Sequence, residues 1–114
     1  MKSEPYSLTQ LFARFPSRVL TPIPDVQVRA VTQDSRRVGP GDVFVAVTGD
    51  SFDGHEFIPE AVEKGASAIV GSREMGVSGV PYVQVDEARL ALAYLCAAAY
   101  GDPALQLAVI GVTG

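Results

Sequence analysis

Five consecutive apolar residues, Val43-Phe44-Val45-Ala46-Val47, constrain this chain more than any other stretch. A strand with one wet face alternates apolar and polar side chains, whereas an unbroken apolar run of β-prone residues asks for cover on both faces. Such a strand belongs in the centre of a sheet rather than at its edge.

The flanking segments supply the cover. Ser7-Leu8-Thr9-Gln10 has the spacing of a capping box, and Leu8, Leu11, Phe12 and Phe15 recur at helical intervals. This predicts a short helix over 8–15, ended by Pro16. Residues 16–27 hold three prolines and read as extended loop. Val28 to Gln33 is rich in β-branched residues and reads as a strand. Gly39-Pro40-Gly41-Asp42 favours a type II turn with Gly41 at positive φ. Beyond the apolar run, a polar loop over 48–54 leads to a helix over 55–64. Phe57, Ile58, Ala61 and Val62 share one face of it, and Glu56, Glu60, Glu63 and Lys64 the other. Glu60 and Lys64 are spaced as an i,i+4 ion pair, and Gly65 suits the C′ position.

Ala68-Ile69-Val70 and residues 81–85 read as two more strands. Asp86 is placed to cap a helix over 87–100, ended by Gly101 and Pro103, and Leu107 to Val112 reads as a last strand. This alternation predicts an α/β fold, a small mostly parallel sheet with flanking helices. From Leu90 to Tyr100 the last helix is apolar all round. It asks for cover on more than one side, or it is an Ala-rich surface indifferent to exposure.

The bulk composition narrows the function classes. At 114 residues and 47% hydrophobic, the chain suits one ordinary globular domain. Nine Lys and Arg against 13 Asp and Glu give a net charge of −4, which argues against general nucleic-acid binding. Cys96 is the only cysteine, which precludes an internal disulfide and fits a reducing compartment. No signal-peptide pattern follows Met1, and no run has membrane-span length, so a cytoplasmic protein without a membrane partner is expected.

Two polar loops carry the candidate chemistry, each following an expected strand. The first offers Asp34, the Ser35 hydroxyl and the guanidinium forks of Arg36 and Arg37. The second offers backbone N–H groups at Gly49, Asp50, Ser51 and Phe52, with the Phe52 ring beside them. Together they suit a polar ring held by backbone hydrogen bonds and a diphosphate offset by arginine. From composition alone, the first loop reads more simply as an Asx-type turn with solvated arginines. His55 is the only histidine and lacks a second ligand at metal spacing, so it reads as a local partner of Asp53. Asp50 and Asp53 are spaced as turn residues, and Cys96 as packing within a helix. No catalytic set assembles from these residues, and no Gly-x-Gly-x-x-Gly follows the first strand. Gly111-Val112-Thr113-Gly114 reads as a strand end or as the opening of a nucleotide-phosphate loop.

Taken as a linear set, several stretches resemble the amino-terminal domain of the Mur ligases, the ATP-dependent amide-forming enzymes of peptidoglycan synthesis. They are Thr32 to Arg36, Val38 to Val47, Gly49 to Ile58, Ala61 to Val70 and the closing Gly111 to Gly114. The pattern looks like the MurE type, which adds the third amino acid, diaminopimelate or lysine, to UDP-N-acetylmuramoyl-L-alanyl-D-glutamate. The D-Ala-D-Ala-adding sister and a non-enzymatic nucleotide-sugar-binding module remain alternatives. The resemblance implies that Gln33 and Ser35 line the uridine diphosphate site, while Asp50, Ser51 and Phe52 contact the uracil. Asp50 stands where relatives often carry a histidine and cannot stack on a ring, which leaves stacking to Phe52. It further implies a UDP-recognition domain over 1–107 and the start of an ATP-binding central domain over 108–114. ATP and Mg2+ then serve a parent enzyme whose central and carboxy-terminal domains supply the catalytic residues, and these 114 residues alone are inactive.

Overall fold

The structure is a computed structural model and describes residues 6–13, 15, 18–48, 53–77 and 79–100. Its centre is a four-stranded parallel sheet in the order β3-β4-β5-β6, made of Val31–Thr32, Val43–Val45, Ala68–Gly71 and Tyr82–Gln84. A separate two-stranded antiparallel ribbon pairs β1 (Tyr6–Ser7) with β2 (Gln27–Val28). Helix α1 spans Leu8–Leu11, α2 spans Ile58–Glu63 and α3 spans Ala88–Tyr100. Short 3₁₀ turns cover Ser35–Arg37 and Gly54–Phe57.

The apolar run lies where its composition requires. β4 is flanked by β3 and β5, and Val43 to Val47 are all buried. Because side chains alternate across a strand, the run feeds two cores. Val43, Val45 and Val47 join Val70, Val83, Ala91 and Leu95 on the face covered by α1 and α3. Phe44 and Ala46 join Ile69, Val38, Ile58 and Ala61 beneath α2.

The turn chemistry follows the sequence closely. Gly41 has φ +88° and Asp42 N–H donates to the Gly39 carbonyl at 3.1 Å. Gly65 ends α2 with φ +99°, and the Glu60–Lys64 pair closes at 3.1 Å.

Several expected elements differ. The strand over 28–33 is two strands in two sheets. It breaks at Arg29-Ala30, where Arg29 N–H donates to the Gly41 carbonyl and the Ala30 carbonyl accepts from Val43, both at 2.8 Å. The first helix covers Leu8–Leu11 and not 8–15, and no capping box forms, because Ser7 Oγ reaches Asp25 Oδ1 at 3.4 Å instead. The second helix opens as a 3₁₀ turn, and its α-helical part begins beside Pro59, whose fixed φ and missing N–H suit a first turn. Phe57 does not join the buried face and remains 39% exposed. The 16–27 loop is partly tied to the sheet edge: Leu20 N–H donates to the Gln84 carbonyl at 2.7 Å, and Gln84 N–H donates to Thr21 Oγ1 at 2.9 Å. On α3, Ala88, Ala91, Leu95 and Ala99 face the sheet while Tyr94 faces out. The last expected strand, with Gly101 and Pro103, lies outside the described residues.

Candidate functional site

All four strands of the parallel sheet point their carboxyl ends the same way, and polar residues collect there. β3 leads into Gln33–Arg37, β4 into Thr48, β5 into Ser72 and Arg73, and β6 into Asp86. In open α/β sheets this is the edge where ligands bind.

The first loop is organised by Asp34. Its N–H donates to Thr32 Oγ1 at 3.0 Å, and its carboxylate accepts from Arg36 N–H at 3.0 Å and from the Arg36 guanidinium at 3.0 and 3.2 Å. The Arg36 hydrogen bonds hold the Asp34 carboxyl below its ordinary range. The Arg36 and Arg37 side chains are 82% exposed, so their outer N–H groups face solvent. Both guanidiniums already pair with Asp34, Arg36 through two nitrogens and Arg37 at 3.7 Å, so the Asx-type turn holds them in place and leaves only their outer N–H groups for a ligand. Gln33 is exposed beside them. Ser35 turns inward, and its Oγ donates to Glu60 Oε1 on α2 at 2.9 Å.

The second loop has a built stem. Thr48 and Asp53 form an antiparallel bridge across residues 49–52, and Gly54 N–H donates to the Val47 carbonyl at 2.9 Å. Asp53 is the hub of this stem. Its carboxylate accepts from Thr48 Oγ1 at 3.2 Å, from His55 N–H at 3.0 Å and from His55 Nδ1 at 2.7 Å, and it pairs with the Arg73 guanidinium. The far ring nitrogen, Nε2, accepts the Ser72 backbone N–H at 3.1 Å. These two partners fix the tautomer with hydrogen on Nδ1. His55 is 2% exposed and ties the loop stem to the end of β5, in agreement with its expected role as a partner of Asp53. The His55 hydrogen bonds, then the Arg73 charge, push the Asp53 carboxyl down to about 2.

Two glycines make this contact possible. A Cβ on Gly54 would lie 2.7 Å from both Val47 N and Val47 O, and one on Gly71 would lie 2.8 Å from His55 Nε2. The Thr48 carbonyl accepts from Arg89 on α3 at 3.0 Å, beside a small cleft lined by Val47, Thr48, Ser72, Asp86 and Arg89.

The expected uracil contacts Asp50, Ser51 and Phe52 lie outside the described residues, as does the phosphate-loop sequence Gly111 to Gly114. Gln33 and Ser35 are both placed at the carboxyl end of β3. Sequence reasoning missed Arg73, Ser72 and Glu60 as partners of these loops. Only Glu60 carried a signal, as the acidic member of an i,i+4 ion pair with Lys64. Among the described residues, no group of three or more His, Cys, Asp or Glu side chains comes together to hold a metal ion, and no helix is long and apolar enough to cross a membrane. Cys96 is partly buried, and burial pushes its thiol pKa up, as suits a packing residue.

The Asp53 hub has a pH signature. Its folded pKa lies at about 2 against an ordinary 3.8, so its contribution is complete above pH 4 and lost as pH falls from there through 2. Urea melts at pH 7 and pH 3 should show Asp53→Asn less stable than wild type by roughly 1–2 kcal/mol at pH 7, with a smaller difference at pH 3. An equal difference at both pH values would place the stabilisation elsewhere.

Residues 27–100 match the Mur ligase family, catalytic domain. The chain belongs to the Mur ligase family. A Geobacillus thermodenitrificans relative, named UDP-N-acetylmuramoyl-L-alanyl-D-glutamate--2,6-diaminopimelate ligase, is 49% identical over 85 residues, which is 75% of this chain and 17% of the relative. The ligase of the same name from Lactiplantibacillus plantarum is 43% identical over 79% of this chain and 18% of its own length. Among solved structures, MurF from Acinetobacter baumannii superposes with a TM-score of 0.70 at 28% identity, over 86% of this chain and 21% of that one. Thermotoga maritima MurF, solved in complex with ADP, matches at 43% identity with a TM-score of 0.53, over 60% of this chain and 16% of its own. The chain thus spans less than a fifth of the length of these curated relatives. The small parallel-sheet α/β fold is that of these Mur ligase structures.

Proposed function

We propose that this chain is the substrate-recognition domain of a MurE-type ligase and that it holds the UDP end of UDP-N-acetylmuramoyl-L-alanyl-D-glutamate. The observation that carries the reading is the pairing of two loops at the carboxyl end of one parallel sheet, in a chain up to 49% identical to named diaminopimelate ligases. Arg36 and Arg37 offer charged donors suited to a diphosphate. Gln33 and Ser35 stand beside them, and the uracil contacts are assigned to Asp50, Ser51 and Phe52. The stem fixed by Thr48, Asp53 and His55 sets where that segment leaves and rejoins the sheet.

In this reading the recognition domain covers 1–107, and 108–114 opens an ATP-binding central domain. ATP supplies the phosphoryl group that activates the substrate carboxylate, with Mg2+ offsetting its charge. Both serve other domains of the parent enzyme, and the described residues contribute grip and orientation alone. The reading assigns the parent enzyme to the cytoplasm. A D-Ala-D-Ala-adding parent is the second reading, favoured by the MurF structures among the neighbours. The 49% identity to a diaminopimelate ligase over 75% of this chain, against 43% to the Thermotoga maritima MurF over 60% and 28% to the Acinetobacter baumannii MurF over 86%, favours the first.

Calorimetric titration of the 114-residue chain with UDP and with ADP tests the reading. UDP should bind at least tenfold more tightly than ADP, about 1.4 kcal/mol of discrimination. Equal affinity for the two would contradict it.

A further inference from the structure

Resting on the UDP-binding reading, we infer that Glu60 is a positioning residue that sets what Ser35 can recognise. Ser35 Oγ donates to Glu60 Oε1 at 2.9 Å, and Ser35 is 7% exposed. Glu60 also pairs with Lys64 Nζ at 3.1 Å. Lys64 and the Ser35 hydroxyl hold the Glu60 carboxyl below its ordinary range, so at neutral pH it is ionised. An ionised carboxylate only accepts hydrogen bonds, and a serine hydroxyl has one proton to give. The direction of the bond is therefore unambiguous, and the Ser35 proton is already committed.

What Ser35 retains for a ligand is its lone pairs. The hydroxyl accepts from an N–H or O–H and has no proton left for a phosphate oxygen, which is itself an acceptor. The diphosphate is left to Arg36 and Arg37, whose guanidiniums are exposed on the same turn. Ser35 thus meets the nucleoside through a neutral donor, either the imide N–H of uracil or a ribose hydroxyl. In the first case Glu60 makes the site reject cytosine, whose ring nitrogen at that position is an acceptor. Nothing local in the sequence links the two residues, which lie 25 positions apart.

The test measures dissociation constants for UDP, CDP, 2′-deoxy-UDP and 3′-deoxy-UDP with wild type, Ser35→Ala, Glu60→Ala and Glu60→Gln. Ser35→Ala should weaken UDP by roughly fivefold, the size of one neutral hydrogen bond, and leave unchanged the one analogue that lacks the matching donor. A spared CDP identifies the imide, and a spared deoxy analogue identifies the ribose hydroxyl. Glu60→Ala frees the Ser35 proton to point either way, so the gap between UDP and that analogue should shrink. Glu60→Gln, whose amide oxygen still accepts, should lie between Glu60→Ala and wild type. Equal weakening of all four nucleotides by Ser35→Ala would place its hydroxyl on the diphosphate and overturn the inference while leaving UDP binding intact. An unchanged gap in Glu60→Ala would reduce Glu60 to a packing role and overturn it as well. Absence of UDP binding by wild type would instead remove the functional reading on which the inference rests.

Discussion

Gly54→Ala should abolish measurable UDP binding and lower stability by roughly 2–3 kcal/mol. The reason is steric. The new methyl would sit 2.7 Å from both Val47 N and Val47 O, and 3.2 Å from the Ala46 carbonyl carbon. These atoms belong to the backbone at the end of the central strand, so they cannot swing aside as a side-chain tip would. Relief requires the Gly54 N–H to Val47 carbonyl bond to open. That opening pulls Asp53 and His55 away from Thr48 and Ser72, and the 49–52 loop loses its stem. Urea melts and UDP titration of the same variant read both effects. A variant that melts like wild type and binds UDP normally would show that the stem does not position the loop.

Phe44→Ala should cost more stability, about 3–5 kcal/mol, and yet spare the site. Phe44 is fully buried in the core beneath α2, against Ile58, Ile69 and Ala61. Its removal leaves a cavity between the middle of a central strand and a helix, where β3 and β5 hold the backbone on both sides. Such a site collapses poorly, so the loss lies near the top of the range. Thermal unfolding should shift downward by roughly 10–25 °C. Below that lowered melting point, the folded fraction should bind UDP within about twofold of wild type, because the Phe44 ring carries none of the hydrogen bonds that hold either loop. The two variants together separate global stability from loop geometry. If Phe44→Ala loses UDP affinity as fully as Gly54→Ala does, the loops have no separate positioning device.

Much of this was legible in the sequence because it was local. The unbroken apolar run of β4 announces cover on both faces. Gly41 and Gly65 stand where turn and helix-end geometry need positive φ. Glu60–Lys64 and Asp53–His55 lie within four residues of each other, so spacing alone suggests contact. The harder features join distant segments. The strand over 28–33 splits because Arg29 and Ala30 bond to Gly41 and Val43, and only the assembled sheet fixes those bonds. Arg73 and Ser72 reach Asp53 and His55 from the far end of β5. Ser35 looks like a free turn hydroxyl until α2 brings Glu60 to it. The position of the two loops was foreseeable from the carboxyl-end rule for α/β sheets, but the clasp that fixes one of them was not.

The most direct check of the nucleotide-handle account is a ¹⁵N-resolved NMR titration of the 114-residue chain with UDP. The account predicts shift changes confined to residues 33–37 and 48–55, with the largest at the tip of the second loop. Changes centred on α1, on the β1–β2 ribbon or on the outer face of α3, or no change at millimolar UDP, would contradict it.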